Sequence, residues 1–124
     1  MDAPISLSLV VRIEHWPIAG SFTISRGAKT QASVVVAELS DGLHRGRGEC
    51  VPYARYDETV EGVADAIAEL SDALARGLDR DALQRTMPPG AARNALDCAF
   101  WDLAAQRAGR PVHALAGLPP PKPL

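Results

Sequence analysis

The spacing of apolar residues changes once along this 124-residue chain, close to residue 50. Before that point, apolar and polar residues alternate or form short β-branched runs, which is typical of strands that bury at least one face. After it, apolar residues recur every three to four positions, which is typical of amphipathic helices. Strands followed by helices predict an α+β domain in which one face of a sheet packs against the helices.

Three strands are predicted in the first half of the chain, over residues 6–14, 31–39 and 43–50. The first alternates between apolar and polar side chains, and the second is rich in valine. Asp41 and Gly42 separate the second strand from the third and predict a tight turn, because glycine readily takes the positive φ that such a turn needs. The predicted sheet is a three-stranded antiparallel β-meander.

The second half is predicted to form a helical bundle, with helices over about 58–75, 80–86 and 91–108. Asp57 and Asp79 precede the first two helices and are their predicted N-caps. The third helix, AARNALDCAFWDLAAQRA, carries apolar residues around much of its circumference. We expect other elements to flank such a helix on several sides.

Charge and hydropathy argue against two classes of partner. The chain has 13 basic and 15 acidic side chains, so it has no basic excess that would attract nucleic acid or an anionic membrane. No apolar run approaches the roughly 20 residues that a membrane-spanning helix needs. The first residues lack the basic and apolar segments of a signal peptide, so we expect a cytoplasmic protein.

The residues alone predict no catalytic group and no metal ligand in this segment. Cys50 and Cys98 form no Cys-x-x-Cys pair, and we interpret both as reduced, buried hydrophobic residues. The three histidines, His15, His44 and His113, lack the spacing of metal ligands.

Two further patterns are interpreted as structural. Gly46 and Gly48 lie in GRGECV, which opens no helix and so fails as a phosphate-binding loop; we expect these glycines where the sheet approaches other backbone closely. Asp97 and Asp102 do not share a helix face, so they predict no paired acid–base site. We expect Asp97 to pair with Arg93, and Asp102 to accept structural hydrogen bonds.

Aromatic and arginine side chains of the kind found in binding sites are concentrated in two predicted loops. These residues are Phe22, Ile24 and Arg26 in the first loop, and Tyr53, Arg55 and Tyr56 in the second. An arginine on a loop is either a solvated surface charge or a ligand for a carboxylate. The residues alone leave both interpretations open.

Four stretches of the sequence are similar to one known domain: FTISRG, GRGECVPYARY, GAARNALDCAFWDLAAQRAGRPV and LAGLPPPKP. Together they resemble the N-terminal capping domain of the enolase superfamily, from about residue 5 to the end of the chain. The resemblance is to the muconate-lactonizing branch and, through the SRG segment, to its dipeptide epimerases of the L-Ala-D/L-Glu type. It implies a cap over residues 1–117 and a proline-rich connector over 118–124, leading to a (β/α) barrel absent from this chain.

The resemblance implies the capping and specificity domain of a Mg²⁺-dependent dipeptide epimerase, which removes and returns an α-proton through an enolate. In this family the barrel carries the catalytic lysines and the carboxylates that bind Mg²⁺, so this segment alone is expected to be inactive. Two cap loops, here 20–28 and 51–57, close over the barrel and set specificity. The implied partners are a dipeptide substrate and the protein's own barrel, and a homo-oligomer is compatible with the resemblance.

The same resemblance implies substrate-binding roles for five residues of the two loops. Arg26 would bind the side-chain carboxylate of a C-terminal glutamate, because a guanidinium pairs with a carboxylate bidentately. Phe22 and Ile24 would line the pocket, and Tyr53 and Tyr56 would cover it.

Two alternatives stay open from the sequence. The cap of a sister enzyme, such as an N-succinylamino acid racemase, an o-succinylbenzoate synthase or a muconate cycloisomerase, would share the scaffold and the metal but differ in its loops. A truncated, non-catalytic binding module would explain why catalytic groups are absent, and it would expose an apolar face near Trp101.

Overall fold

The computed structural model of the chain describes residues 5–24 and 27–120; for residues 18–24 and 27–31 it describes the backbone alone. The strands are β1 Ser8–Ile24, β2 Gly27–Ser40 and β3 Arg45–Cys50. They form one antiparallel sheet in the order β1-β2-β3. This is the predicted meander, and with the helices that follow it confirms the α+β class.

Strands β1 and β2 are longer than predicted, because they continue beyond β3 as a two-stranded ribbon. Phe22 pairs with Lys29, and Ile24 pairs with Gly27. The prediction of a loop over 20–28 is therefore wrong for most of that segment, where the ladder of strand pairing continues almost to the tip of the ribbon.

The ribbon contains a bulge in β1. The regular register ends at Pro17, which pairs with Gln31, and residues 18–21 then stand opposite Thr30 alone before pairing resumes. Extra residues in one strand bend a two-stranded ribbon and increase its twist. The bulge therefore changes the course of β1 between Pro17 and Phe22.

The connection between β2 and β3 is a turn over residues 41–44, so β3 begins later than the predicted residue 43. Gly42 takes the predicted positive φ, at +97°. The Asp41 carboxylate accepts hydrogen bonds from the backbone N–H groups of His44 at 2.7 Å and Leu43 at 2.9 Å. These bonds lower the pKa of Asp41 below its ordinary value, because they favour the ionised carboxylate.

Helices and one 3₁₀ turn fill the second half of the chain. They are the 3₁₀ turn Ala54–Tyr56, α1 Val60–Ala68, α2 Ser71–Ala75, α3 Arg80–Thr86, α4 Ala91–Ala108 and α5 Val112–Leu115. The predicted helices over 80–86 and 91–108 are confirmed.

The single helix predicted over 58–75 is wrong, because the chain breaks between α1 and α2. Leu70 leaves helical geometry there, with φ −86° and ψ 2°. The new direction buries Leu74 completely, and its carbonyl oxygen accepts a hydrogen bond from the Leu7 N–H at 3.1 Å. The break therefore docks α2 against the start of the sheet.

The N-cap of α1 is Thr59, not Asp57 as predicted. Thr59 Oγ1 accepts a hydrogen bond from the Gly62 N–H at 3.0 Å. Asp57 instead takes the left-handed backbone conformation, with φ +58°, at the end of the 3₁₀ turn. The predicted cap of α3 is confirmed, because Asp79 Oδ1 accepts a hydrogen bond from the Ala82 N–H at 2.8 Å.

Helix α4 packs along the inner face of the sheet and directly against β3. A Cβ atom on Gly46 would lie 2.2 Å from the Ala99 carbonyl oxygen, and one on Gly48 would lie 1.9 Å from the Ala95 carbonyl oxygen. This close approach of two backbones confirms the interpretation of both glycines. The buried core around the contact includes Val35, Ala37, Leu39, Ile67, Leu74, Leu83, Leu96 and Leu103.

The ion pair predicted between Arg93 and Asp97 is wrong. Asp97 Oδ1 lies 2.7 Å from Arg80 Nε, and the Arg80 guanidinium also stacks on Trp101, 4.7 Å from the ring centroid. Arg93 donates instead to backbone carbonyl oxygens, among them that of Met87 at 3.3 Å. The partner of Asp97 therefore comes from α3, whereas the prediction placed it on α4, the helix that contains Asp97.

Two other expectations for α4 have different outcomes. Asp102 accepts a hydrogen bond from the Arg47 N–H of β3 at 2.8 Å, which confirms its structural role. Cys50 is buried as predicted, but Cys98 is exposed because its position on α4 faces solvent and not the sheet.

Candidate functional site

Residues 53–58 form a compact turn between β3 and α1, which we call the tyrosine turn. Its backbone closes on Tyr53, whose carbonyl oxygen accepts hydrogen bonds from the N–H groups of Tyr56 at 2.9 Å and Glu58 at 3.3 Å. The Asp57 N–H donates to the Ala54 carbonyl oxygen at 3.0 Å. These local bonds give the turn a defined backbone shape although most of it lies on the surface.

The two tyrosines of this turn stand side by side. Their ring centroids are 5.6 Å apart with an interplanar angle of 39°. Tyr53 is 54% exposed and Tyr56 is 70% exposed. Tyrosine offers a large, amphipathic contact area at a low cost in conformational entropy, so an exposed pair suits a surface that covers another molecule.

The Glu58 carboxylate connects the tyrosine turn to helix α4. Glu58 Oε1 accepts a hydrogen bond from the Tyr53 N–H at 3.0 Å. Glu58 Oε2 accepts one from the Ala91 N–H at 2.8 Å. One side chain therefore holds the first residue of the turn and the first residue of the longest helix.

A recess of about 630 Å³ lies between the tyrosine turn and the start of α4. Val51 and the two tyrosines line one side, and Pro89 and Asn94 line the other. The Asn94 side chain is exposed and can both donate and accept hydrogen bonds. Glu58 also lines the recess, which thus combines an aromatic wall with one amide and one carboxylate side chain.

Neither thiol is activated as a nucleophile. Burial raises the pKa of Cys50 to about 11, and the nearby negative charge of Glu58 adds to the shift. Partial desolvation by its neighbours also raises the pKa of Cys98, although the residue is exposed, and the negative charge of Asp97 contributes further. Both groups are therefore protonated at neutral pH, whereas a reactive cysteine has a lowered pKa.

The structure brings together the two tyrosines that the sequence singled out. Arg26 lies outside the described residues. Phe22 and Ile24 belong to β1, and only their backbone is described. The substrate-binding roles of all five residues stay predictions.

Glu58 is the residue of this site that the sequence did not indicate. It stands one position before the Thr59 cap, where an acidic residue is ordinary. Its partner Ala91 lies 33 positions further along the chain. The missing side-chain cap at Gly90 was a weak signal that α4 takes its cap from elsewhere.

The described part of the chain offers no metal site. Among those residues, no three His, Cys, Asp or Glu side chains are grouped so that they could hold an ion. In the same residues, no helix has the length and apolar character that crossing a membrane requires.

Residues 6–117 match a family described as the mandelate racemase / muconate lactonizing enzyme N-terminal domain. The chain belongs to this family. The match covers all three strands and all five helices described above. The family assignment agrees with the resemblance to the enolase superfamily that the sequence motifs carry.

Two relatives of known activity align with most of this N-terminal domain. L-Ala-D/L-Glu epimerase from Escherichia coli (strain K12) is 46% identical over 109 residues, covering 88% of this chain and 34% of the relative. N-acetyl-D-glutamate racemase from a Pseudoalteromonas species is 43% identical over 81 residues, covering 64% of this chain and 26% of the relative. The chain therefore spans about a third or less of these relatives' length.

Solved structures show the same fold. An enolase family member from Agrobacterium tumefaciens, with homology to dipeptide epimerases and with bound sodium and L-Ala-L-Glu, is 49% identical at a TM-score of 0.85. The alignment covers 91% of this chain and 35% of that chain. A dipeptide epimerase from Methylococcus capsulatus, complexed with Mg and L-Arg-D-Lys, is 28% identical at a TM-score of 0.74. This alignment covers 90% of this chain and 35% of that chain.

Proposed function

We propose that this chain is the capping and specificity domain of a Mg²⁺-dependent dipeptide epimerase that acts on dipeptides with a C-terminal glutamate. The observation that carries the proposal is the 49% identity, over 91% of the chain, to the Agrobacterium protein solved with L-Ala-L-Glu. The 46% identity to the Escherichia coli L-Ala-D/L-Glu epimerase supports the same substrate class. Residues 118–124 would then connect the cap to a catalytic barrel.

Arg26 is the residue proposed to bind the glutamate side chain. Its guanidinium can donate two parallel hydrogen bonds to a carboxylate, and excluding water from a closed site strengthens that pair. Phe22 and Ile24 lie four and two positions before Arg26 in the sequence and would supply the apolar wall of the pocket.

Tyr53 and Tyr56 are proposed to cover the bound substrate. The ring contact and its exposure in this chain support the role, because such a surface gains most when a ligand and a second domain bury it. This domain's contribution to the reaction would be to bind and orient the dipeptide and to keep water out.

The described residues do not fit a Mg²⁺ site, so we assign the metal to the proposed barrel. There it would stabilise the negative charge that develops when the α-proton is removed. The Mg-containing complex of the Methylococcus capsulatus enzyme supports this cofactor.

The test is exchange of the glutamate α-proton in D₂O, followed by ¹H NMR, on the intact protein that carries this domain. We expect L-Ala-L-Glu to exchange and epimerise with Mg²⁺ present, and we expect both reactions to stop when the metal is chelated. Absence of exchange with every glutamate-ending dipeptide would overturn the proposal.

The substitution Arg26→Ala tests the specificity role in the same protein. Leaving a carboxylate unpaired in a closed site costs about 3 kcal/mol, so kcat/KM for L-Ala-L-Glu should fall about a hundredfold. L-Ala-L-Leu, which has no side-chain carboxylate, should be little affected. Arg85→Ala, at an exposed arginine of α3, is the matched control. Equal losses on the two dipeptides would contradict the role of Arg26.

A second candidate function is the racemisation of N-acylglutamates, which the 43% identity to N-acetyl-D-glutamate racemase favours. The substrates of both candidate functions contain a glutamate whose α-nitrogen is acylated, and the substrates differ in the acyl group. A panel of L-Ala-L-Glu, N-acetyl-D-glutamate and N-succinylglutamate separates them, because the true substrate class should have the highest kcat/KM. Exchange of none of the three would overturn both candidates and leave the o-succinylbenzoate synthase, the muconate cycloisomerase and the non-catalytic binding module.

A further inference from the structure

We propose that Glu58 is a positioning residue that ties the tyrosine turn to helix α4 and thereby sets where Tyr53 and Tyr56 stand over the substrate. The part of this inference that concerns substrate rests on the proposed function. The structural part stands on the contacts of Glu58 alone.

The first step is that Glu58 bonds both backbone polar groups of Tyr53, its N–H and its carbonyl oxygen. The Glu58 N–H donates to the Tyr53 carbonyl oxygen at 3.3 Å, and Glu58 Oε1 accepts from the Tyr53 N–H at 3.0 Å. Backbone bonds from the Tyr56 and Asp57 N–H groups also close the turn, but the Tyr53 N–H is bonded by Glu58. Moving or truncating the Glu58 side chain releases the Tyr53 N–H, which begins the turn.

The second step is that the same carboxylate reaches the rigid part of the domain. Glu58 Oε2 accepts from the Ala91 N–H at 2.8 Å. Within the described residues, no other hydrogen bond joins the tyrosine turn to α4. Since α4 packs with its backbone against β3, this bond anchors the tyrosine turn to an element of the core and not to a surface loop.

The third step is that α4 is built to receive this carboxylate. Gly90, its N-cap, has no side chain to bond the first N–H groups, and the first turn of α4 contains no acidic residue. A Cβ atom on Gly90 would lie 3.1 Å from Glu58 Oε2, so glycine leaves room for the carboxylate to approach. A negative charge at this position also interacts favourably with the helix dipole.

The chemistry of the two bonds explains why the residue is glutamate. Each carboxylate oxygen accepts one N–H, and both bonds need an acceptor. Glutamine has only one acceptor oxygen, because its NH₂ group donates. Glu58→Gln therefore keeps the size of the side chain and loses at least one of the two bonds, whereas Glu58→Ala loses both.

The first arm of the test is hydrogen–deuterium exchange of the intact protein, read at individual amides. In Glu58→Ala the amides of Tyr53 and Ala91 should exchange about tenfold faster, and in Glu58→Gln one of them should. The amides of Ala99 and Leu103 in the middle of α4 should keep their protection. Glu61→Ala, at an exposed glutamate of α1, is the control and should change neither amide.

The second arm is kinetic and uses the same variants with L-Ala-L-Glu. A residue that only positions a covering turn should affect binding more than chemistry. We expect KM to rise about tenfold in Glu58→Ala with kcat changed by about threefold or less, and we expect Glu58→Gln to be intermediate. Glu61→Ala should match the wild-type protein.

Each remaining outcome contradicts the inference or separates it from the proposed function. Unchanged exchange at Tyr53 and Ala91, or equally faster exchange at Ala99 and Leu103, would overturn the tie. A fall in kcat at constant KM would assign Glu58 to the chemistry and overturn the positioning role. If the wild-type protein turns over no acylated glutamate, the proposed function fails, and the exchange arm alone decides whether Glu58 holds the turn.

Discussion

Adding one methyl group at Gly48 should destabilise the domain strongly, because β3 and α4 approach each other there through backbone atoms. The Cβ atom of Gly48→Ala would lie 1.9 Å from the Ala95 carbonyl oxygen and 2.8 Å from the Ala99 nitrogen. Both atoms belong to the backbone of an 18-residue helix and cannot rotate away as the end of a side chain could. The strand and the helix must therefore move apart.

The size of the effect follows from the distance that has to be gained. Reaching 3.4 Å, the lower end of ordinary contact, needs about 1.5 Å of separation, and a gap of roughly 0.5–1 Å already forfeits a quarter to a half of the dispersion energy. Leu96 and Leu103 pack from α4 into the same core and would loosen with it. We therefore expect a loss of about 3–5 kcal/mol in the free energy of unfolding, above the usual range for overpacking and similar to truncation of a buried leucine.

Urea denaturation of the 124-residue chain, followed by far-UV circular dichroism, measures this loss. Glu49→Ala is the matched control, because the next residue of β3 is exposed and carries only a surface ion pair. We expect the control to change the free energy of unfolding by about 0.5 kcal/mol or less. A loss below about 1 kcal/mol in Gly48→Ala would refute the argument that backbone contact between β3 and α4 requires glycine.

Two further predictions concern titratable groups. The pKa of Asp41 is lowered from 3.8, chiefly by hydrogen bonds from backbone N–H groups of its own turn. Ionised Asp41 therefore stabilises the fold above pH 3.8, and this contribution to the free energy of unfolding disappears as the pH falls through the lowered pKa. Thermal melts of Asp41→Asn should therefore lie below those of the wild-type chain at neutral pH and converge with them under acid; curves that stay parallel down to about pH 2 would contradict this. A thiol reagent at mildly alkaline pH should label Cys98 in the folded chain and reach Cys50 only on unfolding, because Cys50 is buried and its pKa is about 11. Equal labelling rates under native conditions would mean that position 50 is open to solvent.

Most of the secondary structure could be predicted from local pattern. The alternation in the first strand, the valine-rich second strand and the 3.6-residue period of the last helix each depend on residues close in sequence. Gly46 and Gly48 were also readable, because two glycines on one face of a strand have few purposes other than close approach. The tyrosine pair was visible as two aromatics within one short segment.

The errors have a common cause in contacts between distant segments. The helix breaks at Leu70 although the apolar periodicity of the sequence continues, because burying Leu74 beside Leu7 outweighs local helix propensity. Arg80 displaces Arg93 as the partner of Asp97, because docking of α3 brings its guanidinium between Asp97 and Trp101. A rule based on spacing within one helix includes neither the burial of Leu74 nor the docking of α3.

The sequence by itself determined the order of strands and helices, the buried face of the sheet and membership of the family, since each follows from periodicity or from motifs that are contiguous in the chain. Only the tertiary structure decided what holds the tyrosine turn. Glu58 reaches Ala91, 33 positions further along the chain, because α4 packs on β3. That packing brings the first turn of α4, which has no side-chain cap at Gly90, beside the tyrosine turn. The bond between these two residues depends on how the elements pack, and no local pattern encodes it.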